Sequence, residues 1–277
     1  MSLCALNGEI MPLEEARISP MDRGFLFGDG VYEVLACVGG RIRAASLHRA
    51  RLQQSLAAIA LDVSVDAVFN DLQRVLEASG IQDAKLYVQV TRGPVSVREH
   101  SFPSVVEPTV FLSVSPFTVR QLEPVSALVR EDIRWRRNAI KSTSLLANVL
   151  LQQEAKALGA GEAILHRDQW VTEASTSNVF MLKDRALVTP PLSNDILPGI
   201  TRHLVLELAH DLGLGVNETP VSVDELASAE TLFVSSSTRG LMPIDRLEPG
   251  GQVGQGGVHS EFEALASRYD ELLHEHP

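Results

Sequence analysis

The sequence predicts a mixed α/β protein of two domains, and three observations carry that prediction. At 277 residues the chain is longer than one average domain and can bury a sizeable core. Strand-like and helix-like runs alternate along the first part of the chain rather than segregating into blocks. The stretch Ser115 to Pro124 carries Pro116 and Pro124 and loses all periodicity, which suits a linker. The expected organisation is a smaller α/β domain over 1–116, a linker over 117–124 and a larger domain over 125–277.

In chain order, Asn7-Gly8 is a turn, Val31 to Val38 a strand ending at Gly39-Gly40, and Ser46 to Ala60 a helix. A second helix covers Val65 to Glu77. Strands at Leu86 to Thr91 and Thr109 to Val114 flank a long loop containing Arg98 and His100, and long loops inside compact domains are often functional. Past the linker come a strand over Val125 to Ile133, a helix from Leu145 to Leu158, and short strands with turns at Arg167-Asp168 and Lys183-Asp184-Arg185. A helix from Thr201 to Leu212 and a last one from Ser260 to His274 follow, with the Gly-rich stretch from Gly250 to Gly257 read as a hairpin connection, since it lacks the strand-then-helix setting of a dinucleotide fingerprint.

Composition narrows the partners. A formal net charge of -11 disfavours a nucleic-acid binder, because phosphate contacts need concentrated Lys and Arg. No apolar run is long enough to span a bilayer, and Glu9, Glu14 and Glu15 interrupt the N-terminus where a signal peptide needs a hydrophobic core, so a cytoplasmic protein is expected. Cys4 and Cys37 form neither a metal spacing nor a disulfide framework and are read as buried thiols. A small molecule is the expected partner.

The chain holds only four lysines, and one of them, Lys141, sits where RWRRNAIKSTSLLANVL turns apolar. A surface lysine that snorkels is one reading. In the other, Lys141 projects into a cleft, burial favours its neutral form, and a neutral amine attacks a carbonyl to make a Schiff base. Glu173, in WVTEASTSNVF, is a turn acid by itself; beside a Schiff-base lysine it gains a role, because a carboxylate keeps the pyridine nitrogen of pyridoxal phosphate (PLP) protonated. A phosphate cradle is available at Leu197-Pro198-Gly199-Ile200-Thr201-Arg202, where a helix begins and its first N–H groups are unpaired. The hydroxyls of Ser235-Ser236-Ser237-Thr238 and the charge of Arg51 add donors.

With these residues on the page, the chain resembles the fold-type IV PLP-dependent aminotransferases, and the resemblance runs over nearly its whole length. It rests on DRGFLFGDGVYEV near the start, Asp132-Ile133-Arg134-Trp135 and Ile140-Lys141-Ser142 in the middle, Thr172-Glu173 to Phe180, and Gly199-Ile200-Thr201-Arg202. It implies a homodimer of two-domain subunits, the C-terminal domain having a mainly β pseudo-barrel core with surrounding helices, and PLP bound between the domains. It further implies that Lys141 forms the Schiff base and moves the proton at Cα, that Glu173 pairs with the pyridine nitrogen, that Arg51, Ile200, Thr201, Ser236 and Ser237 hold the phosphate, and that Leu197 packs on the ring.

The loop Thr91 to Pro103 decides the branch of the family. Arg98 and His100, one residue apart in an extended segment, can point to the same side, and an Arg fork suits a carboxylate. This spacing is similar to the substrate-carboxylate trap of D-amino acid transaminases, where Tyr32 joins it and the loop reaches in from the neighbouring subunit. The implied reaction moves the amino group of D-alanine or a similar D-amino acid to 2-oxoglutarate, giving the 2-oxo acid and D-glutamate. Other branches of the same fold stay open: a branched-chain L-amino acid transaminase, an (R)-amine transaminase or aminodeoxychorismate lyase. A binding protein without turnover is the alternative of a different class. The chain departs from the family pattern at Thr143-Ser144 and at Arg239, which is expected to face the substrate side chain.

Overall fold

The computed structural model describes residues 2–118, 123–254 and 259–275, and the chain divides into two compact units. The first takes in the described residues up to Thr118 together with Ile140–Ser144; the second holds the remaining described residues up to Glu275. This corrects the expected boundaries in one respect: 125–277 is not a single unit, because the five residues around Lys141 pack with the first. Of the expected linker, 119–122 lie outside the described residues, as do 255–258 of the Gly-rich stretch.

The first unit is a six-stranded antiparallel sheet built from β1 (Leu3–Leu6), β2 (Glu9–Pro12), β3 (Gly30–Val38), β4 (Arg41–Ile42), β5 (Ala84–Thr91) and β6 (Thr109–Pro116), in the order β2-β1-β6-β5-β3-β4. Between these lie α1 (Arg23–Phe27), α2 (Ala45–Ala58) and α3 (Val65–Ser79). Alternation decides the faces: Val31, Leu35 and Cys37 of β3 and Leu86, Val88 and Val90 of β5 point into a core shared with the helices.

Helix α3 shows ordinary helix logic. Ser64 caps it by accepting from the Ala67 N–H at 3.2 Å, Gly80 ends it at φ +67°, and Val65, Val68, Phe69, Leu72, Val75 and Leu76 fill one buried stripe. Each such side chain contributes about 1.5–3 kcal/mol on burial, so Leu72→Ala is the change that would loosen it most directly. Helix α2 breaks the pattern: its buried stripe reads His48, Arg51, Leu52, Ser55, Leu56, with three polar residues inside.

The second unit is a curled nine-stranded mixed sheet. Its strands are β7 (Val125–Glu131), β8 (Glu162–Arg167), β9 (Trp170–Ala174), β10 (Asn178–Lys183), β11 (Ala186–Thr189), β12 (Gly215–Glu218), β13 (Thr231–Ser236), β14 (Gly240–Glu248) and β15 (Gly251–Gln252), and the order is β12-β11-β10-β13-β14-β7-β8-β9, with β15 on β14. Helices α4 (Leu146–Ala157), α5 (Ile200–Asp211), α6 (Val223–Leu226) and α7 (Ser260–Glu275) accompany it. One core gathers Val171, Val179, Leu232 and Val234; the opposite side of β10 and β13 packs Phe180 and Phe233, stacked with centroids 5.0 Å apart, against Val205 of α5 and Phe262 of α7. No helix among the described residues is long and apolar enough to cross a membrane.

Candidate functional site

In the first unit the site is built on an unfinished sheet edge. β4 pairs only with Cys37 and Val38, so the other end of β3 has free backbone groups. Ile140–Ser144 covers them: the Tyr32 N–H donates to the Lys141 carbonyl at 2.9 Å and the Thr143 N–H to the Gly30 carbonyl at 3.0 Å, while the Lys141 N–H donates to Ser55 Oγ at 3.3 Å. A buried edge needs these partners. The result fixes Lys141 at the sheet rim, half-buried, with its Nζ 4.3 Å from the centre of the Tyr32 ring.

Beneath that rim lies a buried ion cluster. Glu33, with no exposed surface, accepts from Arg51 Nε at 2.8 Å, from Arg51 Nη2 at 2.7 Å and from His48 Nδ1 at 2.6 Å. Burial would raise the Glu33 pKa, but the Arg51 charge and the hydrogen bonds outweigh it and hold the carboxyl down at about 2. Burial also pushes His48 toward its neutral form. Arg51, expected on a phosphate, is thus held as a two-pronged fork by Glu33 on the polar stripe of α2.

The long loop after β5 is tethered rather than loose. Buried Arg92 and Arg23 both bind Asp29, and Arg23 also donates to the carbonyls of Glu99, His100 and Ser101. Gly93, at φ +84°, closes the loop where any Cβ would lie 1.7 Å from the Glu107 carbonyl oxygen. With the backbone pinned, Arg98 and His100 lie on one ring: the guanidinium 4.7 Å from the centre of Phe27, the imidazole 5.2 Å from it. Both side chains are exposed, and Tyr32 lies with Lys141 and Tyr87.

In the second unit Glu173 is the centre. Its carboxylate accepts from Arg134 Nη1 at 2.5 Å, Asn178 Nδ2 at 3.1 Å and the Leu197 N–H at 3.1 Å. Arg134 is shared, because it also forks onto Asp132 at 2.9 and 2.8 Å, and Thr172 Oγ1 donates to Asp132 at 3.0 Å. Burial pushes the Glu173 carboxyl up to about 7, against the pull of Arg134 and with Asp132 adding to the rise. Glu173 therefore has room electrostatically for one more cation.

Asn178 ties this centre to the start of α5, donating also to the Leu197 carbonyl at 3.0 Å. Gly199 stands there because a Cβ would lie 2.0 Å from Asn178 Oδ1. No side chain caps α5, so the leading N–H groups at Ile200 and Thr201 are available to an anion. Ser235, opposite Asn178 across β10 and β13, keeps a buried hydroxyl with no partner among the described residues, and Ser236 and Ser237 follow it half-buried. An orphaned hydroxyl, an uncapped helix and a buried carboxyl lacking a second cation suit a group that carries a phosphate at one end and a protonated ring nitrogen elsewhere, as PLP does.

Of the sequence-predicted residues, the structure brings Glu173 and Leu197 into contact, sets Ile200 and Thr201 at the first turn of α5, joins Lys141 to Tyr32, and places Arg98 and His100 each against Phe27. One expectation is corrected. Arg239 does not stand free for a substrate side chain: its Nη2 is bonded to buried Glu162 and donates to Thr176 Oγ1 at 2.8 Å and Ser177 Oγ at 3.1 Å. Sequence reasoning gave no role to Arg134, Asp132, Asn178, Glu33 or His48. Asp132-x-Arg134 had the same one-residue alternation that singled out Arg98-x-His100; the others carried no separable signal.

A cofactor-binding α/β chain of this kind belongs to a defined class. The sequence matches the amino-transferase class IV family over residues 30–247, and the chain belongs to that family and is a PLP-dependent aminotransferase. Among curated relatives, a D-alanine aminotransferase of Staphylococcus haemolyticus is 36% identical over 99% of this chain and 98% of its own length. The D-alanine aminotransferase of Bacillus licheniformis is 38% identical over 90% and 89%. Among solved structures, a branched-chain aminotransferase of the archaeon Thermoproteus uzoniensis superposes with TM-score 0.87 at 27% identity, covering 99% of this chain and 96% of that one. The Escherichia coli branched-chain amino acid aminotransferase gives 0.90 at 24% identity with the same coverage, a likeness of fold.

Proposed function

We propose that the protein transfers the amino group of a D-amino acid, D-alanine or a close analogue, to 2-oxoglutarate, yielding the 2-oxo acid and D-glutamate. The observation that carries this reading is that Arg98 and His100, on a tethered loop, both lie against the Phe27 ring, which keeps two donors near one another as a grip for a carboxylate would need. The curated relatives named for D-alanine support the donor.

When bound, PLP supplies the electron sink that acidifies the Cα–H of the amino acid. Lys141, held at the rim of β3, would be the residue that holds the cofactor through its amine and that moves the proton between Cα and the cofactor. Glu173 would hold the ring nitrogen, with Arg134 and Asn178 orienting the carboxylate. Ile200 and Thr201 at the start of α5, Ser236 and Ser237, and Arg51 would be the residues for its phosphate, and Leu197 would pack on its ring. Tyr32 works beside Lys141 and completes the carboxylate grip.

Two copies associate in this reading, and the Arg98 loop of one completes the other's site. The exposure of Phe25, Val97 and Phe102 around that loop, at 76%, 60% and 58%, supports an interface there. The two buried free thiols, Cys4 and Cys37, agree with a reducing compartment such as the cytoplasm.

The test is turnover of D-alanine against L-alanine and L-leucine, with and without 2-oxoglutarate. Pyruvate formed from D-alanine only when the acceptor is present, and abolished in Lys141→Ala, is the expected result. Robust turnover of L-leucine with none of D-alanine would overturn the assignment in favour of the branched-chain branch, and turnover without an acceptor would point to a lyase.

A further inference from the structure

The second unit contains another buried ion pair, away from Glu173 and unused by the chemistry above. Glu162, the first residue of β8, has no exposed surface, and its one cation among the described residues is Arg239, whose side chain is 30% exposed. The rest of the carboxylate is taken up by one turn. Ser175 Oγ lies against Oε1, the Thr176 and Ser177 hydroxyls donate to Oε2 at 2.8 and 3.1 Å, and the Ala163 N–H donates to Oε1 at 3.1 Å. Three consecutive hydroxyls converging on one buried carboxylate leave the turn little freedom.

What that turn connects gives the pair its meaning. Residues 175–177 join Glu173 of β9 to Asn178 of β10, the two side chains bonded to each other at 3.1 Å. Arg239 comes from a different turn, between β13 and β14, and its N–H donates to Ser236 Oγ at 3.3 Å. The guanidinium therefore reaches from the turn that carries Ser236 and Ser237 to the hydroxyls of the turn that carries Glu173 and Asn178.

We infer that Arg239 and Glu162 are a positioning pair: a clamp between two turns that sets the phosphate-side hydroxyls and the ring-nitrogen carboxylate relative to one another, and so controls how tightly PLP is held. The inference rests on the cofactor assignment above and concerns residues that touch no substrate. It also accounts for the basic residue at 239, whose charge is needed by Glu162 inside the protein.

Titration of the cofactor-free protein with PLP, followed by the visible absorbance of the bound form, tests it. Arg239→Gln and Glu162→Gln are each expected to raise the dissociation constant at least tenfold and to shift the pH midpoint of the visible band. Arg239→Lys, which keeps the charge but loses the fork, is expected to recover part of the affinity. The double variant is expected to be no worse than the worse single one, since both remove the same clamp. Should Glu162→Gln fail to fold, Arg239→Gln and Ser177→Ala decide on the same measure. Dissociation constants and band midpoints within twofold and 0.2 pH units, roughly, of the unaltered protein would overturn the clamp even if melting temperature fell, because a purely structural pair moves only the latter. If the unaltered protein binds no PLP, the cofactor assignment fails with it; if D-alanine is not a donor while affinity responds as expected, the clamp stands and only the donor assignment falls.

Discussion

The two units each bury an arginine against carboxylate, yet the carboxylates in them behave in opposite ways. Around Glu33 one carboxylate is served by Arg51 and His48, and its pKa is held down at about 2. Around Glu173 two carboxylates share Arg134, and the one that loses, Glu173, is pushed up to about 7. Burial is nearly complete in both cases. What differs is how each arginine is spent: Arg51 forks onto Glu33, whereas Arg134 forks onto Asp132 and gives Glu173 a single N–H. A satisfied carboxylate makes a scaffold; an under-served one keeps an appetite for a further cation, as the proposed pairing of Glu173 with a ring nitrogen would need.

Removing the shared cation should break the comparison most severely. Arg134→Met leaves two buried carboxylates without their main partner and is expected to cost about 3–5 kcal/mol, read as a fall in melting temperature on the order of 10 °C. An unchanged melting curve would mean the cluster is not held as described.

Next comes Glu33. Its folded pKa lies below the ordinary 4.5, so its ionised form favours the fold above about pH 4.5 and that contribution disappears as pH falls toward about 2. The shift corresponds to about 3 kcal/mol. Glu33→Gln should lose that amount at neutral pH and flatten the acid limb of the stability curve between those pH values, measured by denaturant unfolding.

Glu173 should show the mirror image. With a folded pKa above the ordinary 4.5, it favours the cofactor-free fold at low pH and loses that contribution as pH rises from about 4.5 to about 7, again by about 3 kcal/mol. Glu173→Gln removes this slope, and adding PLP to the unaltered protein should shrink it, because the ring nitrogen supplies the missing cation. The same slope between about pH 4.5 and 7 in the unaltered protein and in Glu173→Gln would refute the unequal sharing of Arg134. The smallest effect is expected at Thr172→Val, which deletes one hydroxyl donor to Asp132 and should cost about 1 kcal/mol.

Much of this was legible in the chain. Period-two and helical runs located β3, β5, β6, α3 and α5 to within a few residues, and the turns at Asn7-Gly8 and Asp168 stand at positive φ as turn residues do. The short strands β1 and β2 and the five-residue α1 were missed, being too short to show a period. Helix α2 was found although its buried stripe is partly polar, a pattern whose meaning emerges only when His48 and Arg51 are seen on Glu33. Arg239 was misread because a basic residue after a hydroxyl run gives no hint of the buried acid 77 positions earlier that claims it.

By itself, then, the sequence determined the family and singled out Lys141, Glu173, the start of α5 and the loop with Arg98 and His100, since each is a local pattern of residue types whose chemistry can be read without coordinates. Only the tertiary structure decided that 140–144 closes the edge of β3, that Arg134 must be divided between Asp132 and Glu173, and that Glu162 holds Arg239. Those facts depend on which charges meet in a buried place, and in a medium of low dielectric the pairing of charges far apart in the chain sets both their energies and their protonation.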